Sequence, residues 1–239
     1  MYKVFYFNPL RVCNYVLYNG SGECVIVDPG AGSDAERARL EGFIDKQGLS
    51  VKAILLTHGH FDHVLSLRQA AAKWQVPVYM HPADSGVFAA AAHICPAFGM
   101  QYEPYEGEIL DIRNCTGSLP EGLQFEVIPT PGHTPGGVCL YLESDGLLLS
   151  GDTLFCGGVG RTDHPGGNFD QLLGSIKSGI LTLPPQTDVL PGTDMPRQLK
   201  TKSLQIPFCN RWTVSKSQAR GRTTSRTYPS PSPATNWWW

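Results

Sequence analysis

The chain has 239 residues, 41 % of them hydrophobic and 10 % aromatic, so it can bury a sizeable core. No apolar run approaches the roughly 20 residues that span a bilayer, and the N-terminal segment lacks the apolar core of a signal peptide, so no membrane association is expected. Seven scattered cysteines without a C-x-x-C pair favour reduced thiols and predict a cytoplasmic protein. The net charge of −2 is unevenly distributed over 19 Lys/Arg and 21 Asp/Glu. Residues 193–239 hold eight basic residues and one acidic residue, whereas residues 1–192 hold 11 basic and 20 acidic residues.

Apolar runs bounded by Gly, Asn and Pro predict strands that begin as an antiparallel set and later alternate with helices. A helix over Ser33–Lys46 begins with Ser33 or Asp34 as N-cap. This order is typical of a layered α/β sandwich. The predicted strands are Val4–Phe7, Tyr15–Tyr18, Cys24–Val27, Ala53–Leu56, Val76–Met80, Phe125–Ile128, Val138–Leu142, Leu147–Leu149 and Val189–Leu190; the further predicted helices are Leu65–Trp74, a short alanine-rich one within 83–107, and Phe169–Ile180.

Four side chains that can bind a metal follow the apolar strand Ala53–Leu56 within six residues. They are His58, His60, Asp62 and His63, in the motif T-H-G-H-F-D-H. A buried imidazole or carboxylate needs a partner, and a divalent metal supplies one. Imidazole and carboxylate without thiolate suit zinc, iron or manganese better than a closed structural cysteine site. A metal centre is therefore favoured over the alternative, a solvated histidine-rich loop.

Two later motifs add candidate ligands at strand ends. P-T-P-G-H-T-P-G-G places His133 in a turn after Phe125–Ile128, and L-L-L-S-G-D-T-L-F places Asp152 at the tip of Leu147–Leu149. Each motif alone is ordinary, because a turn histidine or an aspartate after a strand is common. Together they predict ligands that converge on one site from separate strands.

These motifs, in this order, resemble the metallo-β-lactamase fold superfamily. F-N-P-L-R-V-C-N-Y-V-L-Y, V-I-V-D-P-G and G-R-T-D-H-P-G-G-N resemble in particular its small glyoxalase II-like (hydroxyacylglutathione hydrolase-like) branch, over residues 2–192. The resemblance implies an α/β fold of the αββα type with a dinuclear zinc site at one edge, iron or manganese being possible. It implies one metal on His58, His60 and His133, a second on Asp62 and His63, and Asp152 bridging the two.

The resemblance also implies a reaction and its residues. It implies hydrolysis of a small-molecule thioester, an S-acyl small thiol, by a metal-activated hydroxide that Asp62 orients. It places Arg161 where a cation can meet an anionic substrate, although a solvated loop charge is an equal alternative. An aspartate at position 152 fits this branch better than the antibiotic-hydrolysing branch, which has cysteine there.

One ligand of the family is missing from this sequence. The family reads P-G-H-G after its last strand, and that histidine completes the second metal site, whereas this chain reads Pro191-Gly192-Thr193-Asp194. We therefore expect the second site to be incomplete and the activity to be impaired. We also expect the C-terminal helix of the sandwich to be lost, so that 1–192 is the metallo-hydrolase domain and 193–239 a basic, disordered tail.

A shifted reading frame accounts for this change. The genetic code permits a base sequence for residues 193–210 that has a second meaning when it is read from its third base. That reading gives Gly-His-Ala-Thr-Thr-Val-Glu-Asp-Glu-Val-Ala-Ala-Asn-Pro-Phe-Leu-Gln-Pro, which resembles the expected family ending. Loss of one C from GGA CAC GGA CAT converts Pro-Gly-His-Gly-His into Pro-Gly-Thr-Asp-Met. The basic, Ser/Thr/Pro-rich composition and the terminal Trp237-Trp238-Trp239 fit a segment that was not selected to fold.

Three other interpretations remain open at this point. The first is a mononuclear iron, persulfide dioxygenase-like enzyme, since related sequences use a similar His/His/Asp set. The second is a catalytically inactive gene product. The third is a genuine basic tail that binds nucleic acid, which the composition makes less favoured. The sequence makes no prediction of oligomeric state.

Overall fold

The computed structural model describes residues 1–193. Ser33 caps the first helix by accepting a hydrogen bond from the Glu36 amide, and Gly48, with φ of 63°, ends it in the left-handed region. The strands are β1 Tyr2–Phe7, β2 Val12–Tyr18, β3 Glu23–Val27, β4 Ser50–Leu55, β5 Val78–Met80, β6 Ile109–Asp111, β7 Glu126–Pro129, β8 Val138–Leu142, β9 Leu147–Gly151, β10 Leu154–Phe155, β11 Gly158–Val159 and β12 Asp188–Pro191; the α-helices are α1 Asp34–Gln47, α2 Leu67–Trp74, α3 Ser85–Ile94 and α4 Phe169–Ser175.

The strands of residues 1–193 form two main sheets. In the first, the six strands lie in the order β1-β2-β3-β4-β5-β6, antiparallel up to β3 and parallel from there on. In the second, the four strands lie in the order β12-β9-β8-β7, and only β12 pairs in parallel. The short strands β10 and β11 pair separately as a hairpin. The carboxyl ends of β4, β7 and β9 lead directly into the segments that carry the candidate ligands, and β12 leads to Thr193.

Alternating side chains divide the core of the described chain into three apolar layers. In β3, Cys24 and Ile26 face the layer under α1 to α3, whereas Val25 and Val27 face the space between the sheets. In the second sheet, Leu140 faces the space between the sheets. Its neighbours Cys139 and Tyr141 face the layer under α4 instead. The order of layers is therefore helices, sheet, sheet, helix, which confirms the predicted αββα sandwich.

The predicted elements up to Leu190 are present, with boundaries that differ by a few residues. The antiparallel start is confirmed, and the predicted helix Phe169–Ile180 is α4 followed by a π-helical turn over Ile176–Ile180. Strand β6 was not predicted, because it has three residues and gains its structure by pairing with β5. The predicted loss of the last helix lies outside the described residues, and so does the predicted disordered tail 193–239 apart from its first residue, Thr193. Within 1–193, no helix is both long and apolar enough to cross a membrane.

Candidate metal centre

Three imidazoles converge where separate strands end. His58 and His60 follow β4, and His133 lies in the turn between β7 and β8. One nitrogen from each of the three lies within 4.8 Å of the others, and the ring centroids are 4.6 to 5.0 Å apart. The sequence motifs lie about 70 residues apart, so it is the fold that brings these rings together.

An acidic group lies beside this triad. Asp152, after β9, places Oδ2 3.8 Å from His133 Nε2 and Oδ1 3.6 Å from His63 Nε2. Asp62 places Oδ2 3.7 Å from the same His63 nitrogen. The two oxygens of Asp152 thus face different imidazoles, which is the arrangement that a bridging carboxylate needs. The structure brings all six predicted ligands into one cluster.

The Nδ1 atoms of three of these histidines are held by neighbouring groups. His133 Nδ1 donates to the Arg161 carbonyl at 2.7 Å, and His63 Nδ1 lies 3.0 Å from Asp28 Oδ2. His58 Nδ1 lies 3.1 Å from the Thr57 hydroxyl, whose own proton goes to Asp28 at 2.7 Å. Partners of this kind fix the tautomer and orientation of metal-binding histidines. They leave each Nε2 as the atom that faces the cluster.

The donor set fits a divalent metal. The Nε2 atoms of His58, His63 and His133 are buried and have no hydrogen-bond partner within residues 1–193. Leaving a buried polar atom unsatisfied costs about 1–3 kcal/mol, so native structures rarely keep several together without a purpose. Neutral imidazole with carboxylate and no thiolate suits zinc, iron or manganese. The centre therefore has the composition and the unsatisfied donors of a metal site.

Burial keeps the imidazole triad neutral. It lowers the pKa of His58 well below the usual value, and the neighbouring imidazoles lower it further. The same causes lower the pKa of His60 to about 2, and burial also lowers that of His133. A histidine must be deprotonated to bind a metal. The triad is therefore ready to bind at neutral pH.

On the acidic side of the cluster, carboxylates and imidazoles shift one another's pKa values against the effect of burial. Burial favours the neutral form of His63, but the carboxylates of Asp62, Asp152 and Asp28 raise its pKa well above the usual value. Burial likewise favours neutral Asp152, but the imidazoles, His63 first, lower its pKa to about 2. Burial raises the pKa of Asp62 to about 6. On this side, a protonated His63 offsets part of the negative charge of the carboxylates around it.

Asp28 was not among the residues predicted for the site. It is buried, its φ is 52°, and it accepts hydrogen bonds from both the amide and the hydroxyl of Thr57 besides contacting His63. Left-handed backbone at a non-glycine residue is uncommon and concentrates at functional sites. Its motif V-I-V-D-P-G resembles the family but does not by itself indicate a role in the site, because its partners lie 29 and 35 residues away in sequence.

Thr193 lies where the resemblance predicts a histidine ligand. Its hydroxyl donates to Asp152 Oδ1 at 3.0 Å, and its backbone bridges to Val12. This is the Asp152 oxygen that faces His63. A hydroxyl thus lies where the resemblance predicts an imidazole.

The loop after β11 contributes in a way that the sequence did not indicate. The guanidinium of Arg161 pairs with Asp163 at 2.9 and 3.1 Å, while its carbonyl holds His133. His164, which is not among the predicted site residues, has its ring 4.9 Å from His60 and 5.1 Å from His133. Its buried Nε2 has no partner within the described part of the chain. Its loop position gave no signal of this.

Comparison with known proteins agrees with the fold and the motifs. The family model described as "Metallo-beta-lactamase superfamily" matches residues 8–192. The probable metallo-hydrolase YqgX of Bacillus subtilis is 37 % identical over 203 residues, covering 84 % of this chain and 94 % of that protein. The hydroxyacylglutathione hydrolase GloC of Haemophilus influenzae is 29 % identical over 205 residues, covering 82 % and 91 %. The crystal structure of TTHA1623 in a di-iron-bound form superposes with a TM-score of 0.70 at 35 % identity, covering 81 % of this chain and 92 % of that one. With its sandwich fold and its strand-end cluster of histidines and aspartates, this chain belongs to the metallo-β-lactamase superfamily.

Proposed function

We propose that this protein is a metal-dependent hydrolase that cleaves a thioester of a small thiol. The observation that carries the proposal is the set of buried Nε2 atoms of His58, His63 and His133 beside two carboxylates. None of these nitrogen atoms has a hydrogen-bond partner within residues 1–193. The similarity to a hydroxyacylglutathione hydrolase and to a probable metallo-hydrolase supports this class of reaction.

The side chains at the centre would share the work of hydrolysis. His58, His60, His133 and Asp152 would hold one divalent metal, with Asp62 and His63 beside it. When bound, such a metal lowers the pKa of water and polarises a carbonyl oxygen. Asp62 would accept a hydrogen bond from the attacking water and so orient it. The water oxygen then bonds to the thioester carbonyl carbon, the carbon–sulfur bond breaks, and a water proton goes to the departing sulfur.

We propose that the second metal site is incomplete. Its available donors are Asp62, His63 and one oxygen of Asp152, and that oxygen already accepts the Thr193 hydroxyl. A neutral hydroxyl is a poor replacement for imidazole as a zinc ligand. We expect about one tightly bound metal per chain and a reduced turnover.

Substrate binding by Arg161 remains part of the proposal. Its guanidinium is exposed and paired with Asp163, so an anionic substrate would have to replace that carboxylate. Exposed pairs of this kind contribute little, about 0–1 kcal/mol, and so can exchange readily. Substitution Arg161→Gln should raise KM for an anionic thioester with little change in metal content.

Hydrolysis of S-lactoylglutathione by the metal-loaded protein tests the function. We expect slow turnover with zinc or manganese, lost in His133→Ala and increased in a version with the reading frame restored from position 193. Turnover by the restored version alone would identify the present chain as an inactive gene product. No turnover by either version would reject thioester hydrolysis.

A second candidate is a mononuclear iron enzyme of the persulfide dioxygenase-like type. The favouring observation is the intact His58, His60, His133 triad next to a second site that lacks an imidazole at Thr193. Iron copurifying with the protein, and oxygen uptake with a persulfide substrate, would favour it over the thioesterase.

We also propose that the metallo-hydrolase domain comprises residues 1–192 and that a shifted frame produced residues 193–239. Sequencing the coding DNA around codon 193 in independent clones tests this origin. A confirmed in-frame sequence would reject it, and salt-sensitive RNA binding that is lost on removal of the tail would instead support a nucleic-acid-binding role.

A further inference from the structure

We propose that Asp84 is a positioning residue that joins the two loops carrying the imidazole triad and thereby sets the spacing of its ligands. The inference rests on the proposed metal site but not on the identity of the substrate. Asp84 lies between β5 and α3, within the 83–107 range where the sequence predicts a short alanine-rich helix, and it is completely buried.

The carboxylate of Asp84 contacts both ligand loops. Oδ2 accepts a hydrogen bond from the Gly59 amide, between His58 and His60, at 2.8 Å. The same oxygen accepts from the Thr134 hydroxyl, next to His133, at 2.8 Å. Oδ1 accepts from the Gly136 amide at 2.5 Å. One side chain thus ties together two loops that are about 75 residues apart in sequence.

The orientation of Asp84 shows that these contacts replace a common local role. Asp84 is the N-cap residue of α3, a position where aspartate usually accepts a hydrogen bond from the first turn and adds about 0.5–2 kcal/mol. Here, within residues 1–193, its side chain makes no such cap. Its carboxylate points across to the ligand loops instead, so helix stabilisation does not explain why an aspartate is needed there.

Both loops approach Asp84 too closely to move independently. A β-carbon at Gly136 would lie 2.7 Å from the Asp84 amide nitrogen, and one at Gly59 would lie 3.0 Å from its carbonyl oxygen. The glycines therefore allow each loop backbone to rest on Asp84. Any change that lengthens these contacts would alter the separation of His133 from His58 and His60.

Three donors and no acceptor surround the carboxylate in the contacts given above. In an asparagine, one of the two carboxylate oxygens is replaced by an NH2 group. That group cannot accept a hydrogen bond from the amide of Gly59 or Gly136. Thr134 can rotate its hydroxyl to accept, but one backbone amide then loses its partner. Asp84→Asn therefore keeps the shape of the side chain but loses one of the three hydrogen bonds to the ligand loops, whereas Asp84→Ala loses all three.

Metal affinity, measured by competition with a chromophoric chelator, tests the inference. We expect Asp84→Asn to weaken zinc binding about 10-fold and Asp84→Ala about 100-fold, the range that loss of an outer partner produces. The cobalt-loaded Asp84→Asn variant should also show shifted d–d absorption bands, because the ligand geometry changes. Neither readout requires a substrate, so failure of the thioesterase proposal would leave the result interpretable.

A matched variant separates positioning from general destabilisation. Ile44→Ala removes a buried side chain from α1, away from the site, and should lower the free energy of unfolding by about 2–5 kcal/mol without changing zinc affinity or the cobalt spectrum. Wild-type zinc affinity and an unchanged cobalt spectrum in folded Asp84→Asn would overturn the inference. An equal loss of affinity in Ile44→Ala would also overturn it.

Discussion

At the scale of single residues, the two ring nitrogens of three histidines in the centre have different surroundings. For His58, His63 and His133 the Nδ1 atom is held by Thr57, Asp28 or the Arg161 carbonyl, which leaves Nε2 directed at the cluster. Metal-binding histidines in proteins commonly show this division. Contacts within the chain thus orient these candidate ligands.

The first prediction concerns His133. Its replacement by alanine removes one member of the triad, and we expect zinc affinity to fall by more than about 100-fold, because loss of an outer partner alone costs about 10- to 100-fold. Chelator competition measures this. The control His93→Ala changes an exposed histidine on α3 and should bind zinc like the wild type.

The second prediction concerns Thr193. Because its hydroxyl contacts the Asp152 oxygen that faces His63, an imidazole placed there would add the missing donor. We expect Thr193→His to raise the metal content from about one to about two ions per chain. Thr193→Val, which has the shape of threonine but no hydroxyl, should remain at one. Equal metal content in the two variants would show that this position does not limit the second site.

The third prediction concerns His164. Its ring contacts His60 and His133, and its Nε2 is without a partner inside the described range, so it is placed to hydrogen-bond a bound substrate. We expect His164→Leu to raise KM for S-lactoylglutathione roughly 2- to 10-fold, the equivalent of one hydrogen bond, with unchanged metal content. Metal loss as large as in His133→Ala would instead make His164 a ligand.

The sequence indicates the candidate ligands more readily than the residues that support them. His58, His60, Asp62 and His63 form one dense motif, so their chemistry is visible without a fold. Asp84 acts on residues 25 to 52 positions away, and its own neighbourhood has no distinctive composition. Contacts of this kind depend on which loops the sheets bring together, and no local pattern encodes them.

At the scale of elements, strand ends place the ligands, because β4, β7 and β9 each stop at the same edge of the sandwich. The apolar alternation that fixes which face of each strand is buried also fixes the register at which the ligand loops leave the sheets. Long patterned elements such as α1 and β8 were therefore predictable. Strand β6, with three residues, was not, because it depends on pairing with β5.

The fourth prediction tests whether the sheet core can be weakened without disturbing the candidate metal site. Leu140 in β8 is fully buried between the sheets. We expect Leu140→Ala to lower the free energy of unfolding by about 2–5 kcal/mol, through lost burial and the cavity that remains. Urea denaturation monitored by tryptophan fluorescence measures it. The folded variant should still bind zinc with wild-type affinity, whereas loss of binding would show that the sheet core and the ligand loops are not independent.

At the scale of the whole molecule, the three apolar layers of residues 1–193 hold two sheets face to face, and the metal centre lies where both sheets end. Neither sheet supplies the cluster alone: His58, His60, Asp62 and His63 come from the first, and His133 and Asp152 from the second. The cluster therefore needs both sheets in place.

The metal content of the purified chain tests this account most directly. After exhaustive dialysis, elemental analysis of the wild type should give about one divalent metal per chain, and a variant with alanine at positions 58, 60 and 133 should give none. A wild-type chain that retains no metal, or a triple variant that retains as much as the wild type, would contradict the proposed centre. Two tightly held ions in the wild type would contradict the incomplete second site.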